Sequence, residues 1–141
     1  MKKIMLSLLK HFVLLYTGGL AYVLIELLWR GYSHWTMFFV GGLCFVLIGL
    51  INELIPWEMK LRYQMLIGAI IVTVVEFISG CIINLWLGWN VWDYSNLPLN
   101  ILGQVCLLFS VLWYLLSAVA IVIDDCLRYV LFYEEKPHYK W

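Results

Sequence analysis

WTMFFVGGLCFVLIGLIN, residues 35–52, runs eighteen positions without one charged side chain. Wound as an α-helix at about 1.5 Å per residue, it rises about 27 Å, close to the roughly 30 Å of a bilayer's hydrocarbon core. Three further apolar runs of spanning length flank it: His11 to Trp29, Tyr63 to about Gly88, and Asn100 to Ile123. The 141 residues are 65% hydrophobic and 13% charged, with a mean hydropathy of +0.92. One small water-soluble core could not hide that much apolar surface. The expected fold is all-α: one four-helix transmembrane domain covering 1–141, with a tail over 124–141 and a short structured loop between the third and fourth spans.

Orientation follows from the cations, because positive side chains are retained on the cytoplasmic side during insertion. Lys2, Lys3 and Lys10 precede the first run, Lys60 and Arg62 lie between the second and third, and Arg128, Lys136 and Lys140 follow the fourth. Arg30 alone falls on the other side. Both termini are therefore expected in the cytoplasm, with the 89–100 loop outside. Trp29, Trp35, Trp86, Trp89 and Trp92 then gather at the outer interface, and Trp57, Tyr63, Tyr129, Phe132 and Tyr133 at the inner one, the depths that suit amphipathic rings. The first run is too long for a signal peptide and lacks a small-residue cleavage site, so it reads as retained. Residues 4–9 either lengthen it or lie along the interface.

Several classes are disfavoured. The net charge is zero and the cations are scattered, which does not suit a nucleic-acid partner. Cys44, Cys81, Cys106 and Cys126 stand singly, without the paired spacing of zinc or redox sites. No histidine pair suits haem, and neither cofactor nor metal is expected. A partial echo, GGLAYVLIE at 18–26 against GGLCFVLIG at 41–49, reads either as an inverted repeat or as small residues at close helix contacts.

Polar residues within the runs carry the candidate site. Glu26 has Arg30 at i, i+4 spacing, a local ion pair. Glu76 has no cation one turn away and lies about 20 Å along its helix from Tyr63, so it needs a partner on another helix or a proton. Asn84 follows, and Asn100 and Gln104 share a face if the fourth helix begins at Asn100. Glu26, Arg30, His34, Glu76, Asn84, Asp93, Asn96, Asn100 and Gln104 thus all belong to one half of the bilayer or its loops. The expectation is a polar pocket among spans one, three and four. Residues 89–100 cover it as a lid that includes Trp92, Tyr94, Asn96 and Pro98, its Trp and Pro buried and its Asp93 and Asn side chains hydrogen-bonding the polar ends beneath. Glu53, Glu58, Asp124, Asp125 and Arg128 read as solvated residues of the opposite interface, with Asp124 and Arg128 spaced for a helical ion pair.

Residues 76–117, EFISGCIINLWLGWNVWDYSNLPLNILGQVCLLFSVLWYLLS, resemble the putative ABC-transporter type IV permease family, also called CmpB-like. The resemblance rests on Glu76, Gly80, the Trp92-Asp93-Tyr94-Ser95 run, Pro98, Asn100, Gly103, Cys106 and Trp113, and extends over nearly the whole chain. It implies transport in a bacterial inner membrane. The chain has no Walker motif, so any ATPase is a separate subunit. Two comparisons test other classes. Small multidrug exporters also have four spans and a first-span carboxylate, the place of Glu26. Lipoprotein signal peptidase shares the span count, but its aspartate positions fall on Leu87 and Gly103, so aspartic-dyad catalysis is lacking and no enzyme is expected. The reading is a transport-related protein whose pocket takes a proton, cation or small solute. The alternative is an accessory or scaffold subunit of a membrane complex. Expected partners are membrane lipids, a second copy through small-residue faces, or a separate membrane or ATPase subunit.

Overall fold

A computed structural model describes residues 1–141. Helix α1 spans Lys2–Arg30; α2 spans Trp35–Gly49 and, after Leu50, leads into the single turn α3, Ile51–Leu54. Helix α4 spans Leu61–Gly80 and widens into a π-helical turn, Cys81–Trp86, and α5 spans Leu107–Phe132. Four helices are long and apolar enough to cross a membrane: Lys2–Arg30, Trp35–Leu54, Leu61–Trp86 and Leu107–Phe132. The fold is all-helical except for a two-stranded antiparallel ladder, β1 (Asn100–Ile101) and β2 (Val105–Cys106), pairing Asn100 with Cys106 and Ile101 with Val105.

Local chemistry explains the ends of these helices. Gly31 stops α1 by entering the left-handed region at φ 77°, its N–H closing on the Leu27 carbonyl. His34 caps α2, its Nδ1 accepting from the Thr36 N–H at 3.3 Å. The fourth helix begins at Leu107 and not at Asn100. Leu99, Leu102 and Gly103 all have positive φ, and the Asn100 side chain accepts from the Gly103 N–H at 3.0 Å, so the backbone there folds on itself and cannot continue a helix. Hydropathy counts these leucines as span; their backbone angles place them in a turn. The same helix continues past Ile123 to Phe132, so Asp124, Asp125 and Arg128 are helical and not part of a tail. At the other end of the chain, residues 4–9 lengthen α1.

Two antiparallel hairpins make the bundle, α1 on α2 and α4 on α5, and α2 lies between, touching both α4 and α5. The echoed Gly-Gly segments explain the first hairpin. A side chain added at Gly18 would run into Phe45, and one at Gly41 into Tyr22. Each first glycine therefore faces the aromatic fifth residue of the other segment. Each second glycine faces the residue three before the other pair, Gly19 against Phe38 and Gly42 against Leu15. The repeat is a pseudo-twofold crossing, in which bare backbone on one helix receives a ring or branched chain from its neighbour. Beneath it Cys44 and Ile48 of α2 and Ile51 of α3 meet Val72 of α4 and Ile121 of α5 in the buried core.

Candidate functional site

Polar side chains collect at both ends of the bundle. The loop end, between α4 and α5, holds the residues singled out from the sequence. Glu76, 3% exposed about one turn before the end of α4, accepts from the Tyr94 hydroxyl at 2.8 Å through one oxygen and from the Trp113 indole N–H at 3.0 Å through the other. Its partners are thus a loop phenol and an α5 indole. One turn on, Gly80 lacks a side chain where Gln104 and Trp92 come close. The π-helical turn that follows buries both Ile83 and Asn84. Asn84 donates to Gln104 Oε1 at 2.8 Å and accepts from the Val91 N–H at 2.7 Å. Gln104 in turn donates to the Leu102 carbonyl at 2.9 Å, and its own carbonyl accepts from the Trp92 indole at 3.0 Å. A network this complete avoids the cost of burying polar groups unpaired.

The Trp92-Asp93-Tyr94 run alternates as extended chain does. Trp92 turns inward to Gln104 and Tyr94 inward to Glu76, while Asp93 points out. Burial, and then the neighbouring Glu76, push the Tyr94 hydroxyl well above its ordinary range, so it stays a donor. Its ring stacks on Phe109, with centroids 4.7 Å apart. Asp93 accepts from the Ser95 hydroxyl and, at 2.8 Å, from the Ser95 N–H, bonds that hold its carboxyl below the usual range.

Asn100 braces the same loop. Its amide donates to the Leu97 carbonyl at 2.8 Å and its oxygen accepts from Gly103. It does not share a face with Gln104, because no helix joins them. Asn96 and Pro98 are exposed, so Pro98 is not a buried part of the lid. Its place under the loop is taken by Trp92 and Tyr94, whose N–H and O–H can pair while their rings fill space.

Glu26 and Arg30 form the expected ion pair one turn apart on α1. Arg30 also donates to the Val91 carbonyl at 3.2 Å and lies 4.7 Å from the Tyr32 ring centroid, tying α1 to the loop. His34 is occupied as a cap. Open space lies beside this network and not within it. A cleft of about 520 Å³ runs between α1 and α5, walled by Tyr22, Ile25, Met37, Trp92, Leu112 and Trp113 among others, with Glu26 and Arg30 its only charged residues. Glu76, Asn84, Asp93, Asn100 and Gln104 do not line it. The polar side chains have closed on one another, and the opening that remains is apolar.

The tail end departs further from the sequence reading. Asp124, Asp125 and Arg128 are 0%, 4% and 2% exposed and are not solvated. Arg128 donates to Asp124 at 2.8 Å, and its guanidinium lies 3.2 Å from Glu53 and 3.7 Å from Glu134. Asp125 accepts from Asn52 at 2.7 Å and from the Tyr139 hydroxyl at 2.8 Å. The chain after α5 closes over this cluster. The Leu61 N–H donates to the Lys140 carbonyl at 2.6 Å, His138 stacks on Trp57, and Lys10 pairs with Glu134 at 2.5 Å. A helical i, i+4 pair was legible at Asp124 and Arg128. Its burial was not, because Asn52, Glu53 and Tyr139 come from elsewhere in the chain.

Four spanning helices with a carboxylate locked beneath a loop define a polytopic membrane protein. A sequence-family profile described as putative ABC-transporter type IV matches residues 7–136, and the chain belongs to that family. It is therefore a transport-related, multi-pass membrane protein, in a family described by transport and not by catalysis. No curated protein and no solved structure matches it.

Proposed function

We propose that the chain is the membrane-embedded part of a bacterial inner-membrane transport system, with both termini in the cytoplasm, the 89–100 loop outside and Glu76 as the coupling group. One observation carries this reading. Both oxygens of a buried carboxylate are held by neutral donors, one on the loop and one on α5. Such a group can gain or lose a proton without breaking an ion pair. Charged, it draws both donors through charge-assisted hydrogen bonds, roughly twice as strong as neutral ones. Neutral, it releases part of that hold, and the loop and the α4–α5 contact loosen together. The other titratable groups close enough to act on it are Tyr22, Glu26, Cys44 and Tyr94. An ATPase, where one is used, is a separate chain.

The accessory-subunit reading has its own support: Asn84, Gln104 and Glu76 are engaged with one another's neighbours, as struts would be. A fluorophore on Asn96→Cys in reconstituted vesicles separates the two. The coupling role predicts a signal that changes between acidic and neutral pH and becomes flat in Glu76→Gln, while the helical fold persists. An unchanged pH response in Glu76→Gln removes the coupling role and leaves the strut. The same cysteine tests orientation. It should react with a membrane-impermeant reagent on intact cells, and reaction only after lysis inverts the topology.

A further inference from the structure

The α1–α5 cleft carries an open polar group within its apolar walls. The free Glu26 oxygen and the Arg30 Nε at its rim are sealed off, beyond the reach of any ligand. The Tyr22 hydroxyl also makes no hydrogen bond, but it keeps open surface. Tyr22 walls both this cleft and a narrower opening of about 130 Å³ that continues from it along α1 and α5. Within a bilayer an unmatched hydroxyl is costly, because hydrocarbon offers no acceptor. A ligand that brings an acceptor to this apolar space would relieve the cost.

The walls indicate what carries that acceptor. Six of the fourteen residues lining the cleft are aromatic: Tyr22, Trp29, Trp92, Tyr94, Phe109 and Trp113. Tyr22 stacks on Trp113 with centroids 5.8 Å apart, and Tyr94 on Phe109 at 4.7 Å, so the lining is already arranged as ring packs on ring. Its only charged members, Glu26 and Arg30, pair with each other, and a charged ligand would meet no free countercharge at this depth. The cleft's about 520 Å³ falls within the range of small-molecule sites. Leu28, Trp29 and Leu115 along its edge are exposed, which opens it to the hydrocarbon.

We infer that this cleft binds an uncharged, flat, membrane-soluble ring bearing a carbonyl acceptor, the chemistry of a quinone. The Tyr22 hydroxyl donates to the carbonyl, and the ring packs among the aromatic walls. An acyl chain would fill the same space but leave the hydroxyl unmatched. Tyr94 and Trp113 are also the two donors to Glu76, so a ring seated here rests on both groups that hold that carboxylate. As the class of solute moved, the assignment rests on the transport reading; binding itself does not require coupling by Glu76.

The full chain in nanodiscs, dialysed to equilibrium against empty nanodiscs of the same lipid, tests it with duroquinone, whose fully substituted ring resists addition by the free cysteines. One duroquinone per chain should be held above the empty-disc level. Durene, the same tetramethylated ring without carbonyls, should bind about fivefold more weakly, the worth of one neutral hydrogen bond. Tyr22→Phe should erase that difference by weakening duroquinone and leaving durene as it was. Ile25→Trp, at a wall position 45% exposed and therefore able to take bulk, should abolish both excesses while the melting transition stays cooperative. Glu76→Gln should hold duroquinone as the native chain does, so loss of coupling and loss of ligand are read separately. No excess over empty discs, equal binding of duroquinone and durene, or an undiminished duroquinone preference in Tyr22→Phe overturns the assignment.

Discussion

At the loop end Glu76 is held by a phenol and an indole; at the tail end Asp124 is held by a guanidinium that also faces Glu53 and Glu134. Both carboxylates are buried in a bundle that borders lipid; Glu76 reaches across to the loop and α5, whereas Asp124 pairs one turn along its own helix with Arg128, which reaches across in its place. Their difference lies in how charge is balanced. Arg128 and Lys10 pair with Asp124, Glu53 and Glu134, so a proton added to one of these costs an ion pair, while Asp125 beside them meets only Asn52 and Tyr139. Glu76 has no cation among its hydrogen-bonding partners, and a proton added there only weakens two hydrogen bonds. An ion-paired carboxylate such as Asp124 suits a permanent lock, whereas one with neutral donors suits a part that changes state.

Removing the compensating cation is the severest way to break this contrast. Arg128→Leu leaves Asp124 buried without its partner and Glu53 and Glu134 facing each other, and should cost about 3–5 kcal/mol. Denaturant unfolding in detergent measures it; a loss below about 1 kcal/mol would put the tail end in the same class as the loop end. A smaller effect is expected where the partners are neutral. Asn84→Leu strands the Val91 N–H and one Gln104 acceptor, at about 1–3 kcal/mol for a buried group left unmatched, and should loosen the loop before the bundle. Hydrogen exchange at Val91 and Trp92 reads that order, and uniform loosening of all helices would argue against it.

The smallest effect sharpens the tail end by pH. Burial works against the Glu134 charge, but the Lys10 ammonium and the nearby guanidinium of Arg128 outweigh it, so the carboxyl sits below its ordinary range. A depressed folded value means that the stabilisation is complete above the unfolded value and is lost as pH falls through the folded one. The share of the melting temperature that this pair supplies should therefore decline on acidification through the lower carboxylate range. Lys10→Gln should shrink that decline, because the partner that lowers Glu134 is gone. An identical pH profile in Lys10→Gln shows that the pair contributes nothing measurable.

Much of the loop-end site could be read in advance. Glu76 stood out because an isolated carboxylate in an apolar run demands a partner, and Asn84 and Gln104 because amides there do too. Their mutual pairing could not be read, since Gln104 reaches Asn84 only after a tight turn that hydropathy treats as helix. The Glu26–Arg30 pair was visible from i, i+4 spacing alone. Tyr94 and Trp113 carried only the signal of the family pattern, because nothing about an aromatic in a run shows whether its polar tip will meet a carboxylate or a lipid interface.

By itself the sequence determined the number of spanning helices, the place of Pro98 in a break between two of them, and the Gly-Gly segments available for close helix contact. All of these depend on side-chain solubility, side-chain size and neighbours within a few residues. The tertiary structure alone decided that α5 starts at Leu107, that Asp124, Asp125 and Arg128 are buried, and that at the loop end an apolar cleft lies beside the polar network. Those outcomes depend on which distant groups arrive to satisfy a buried donor or acceptor, and hydrogen bonding in lipid leaves few ways for them to do so.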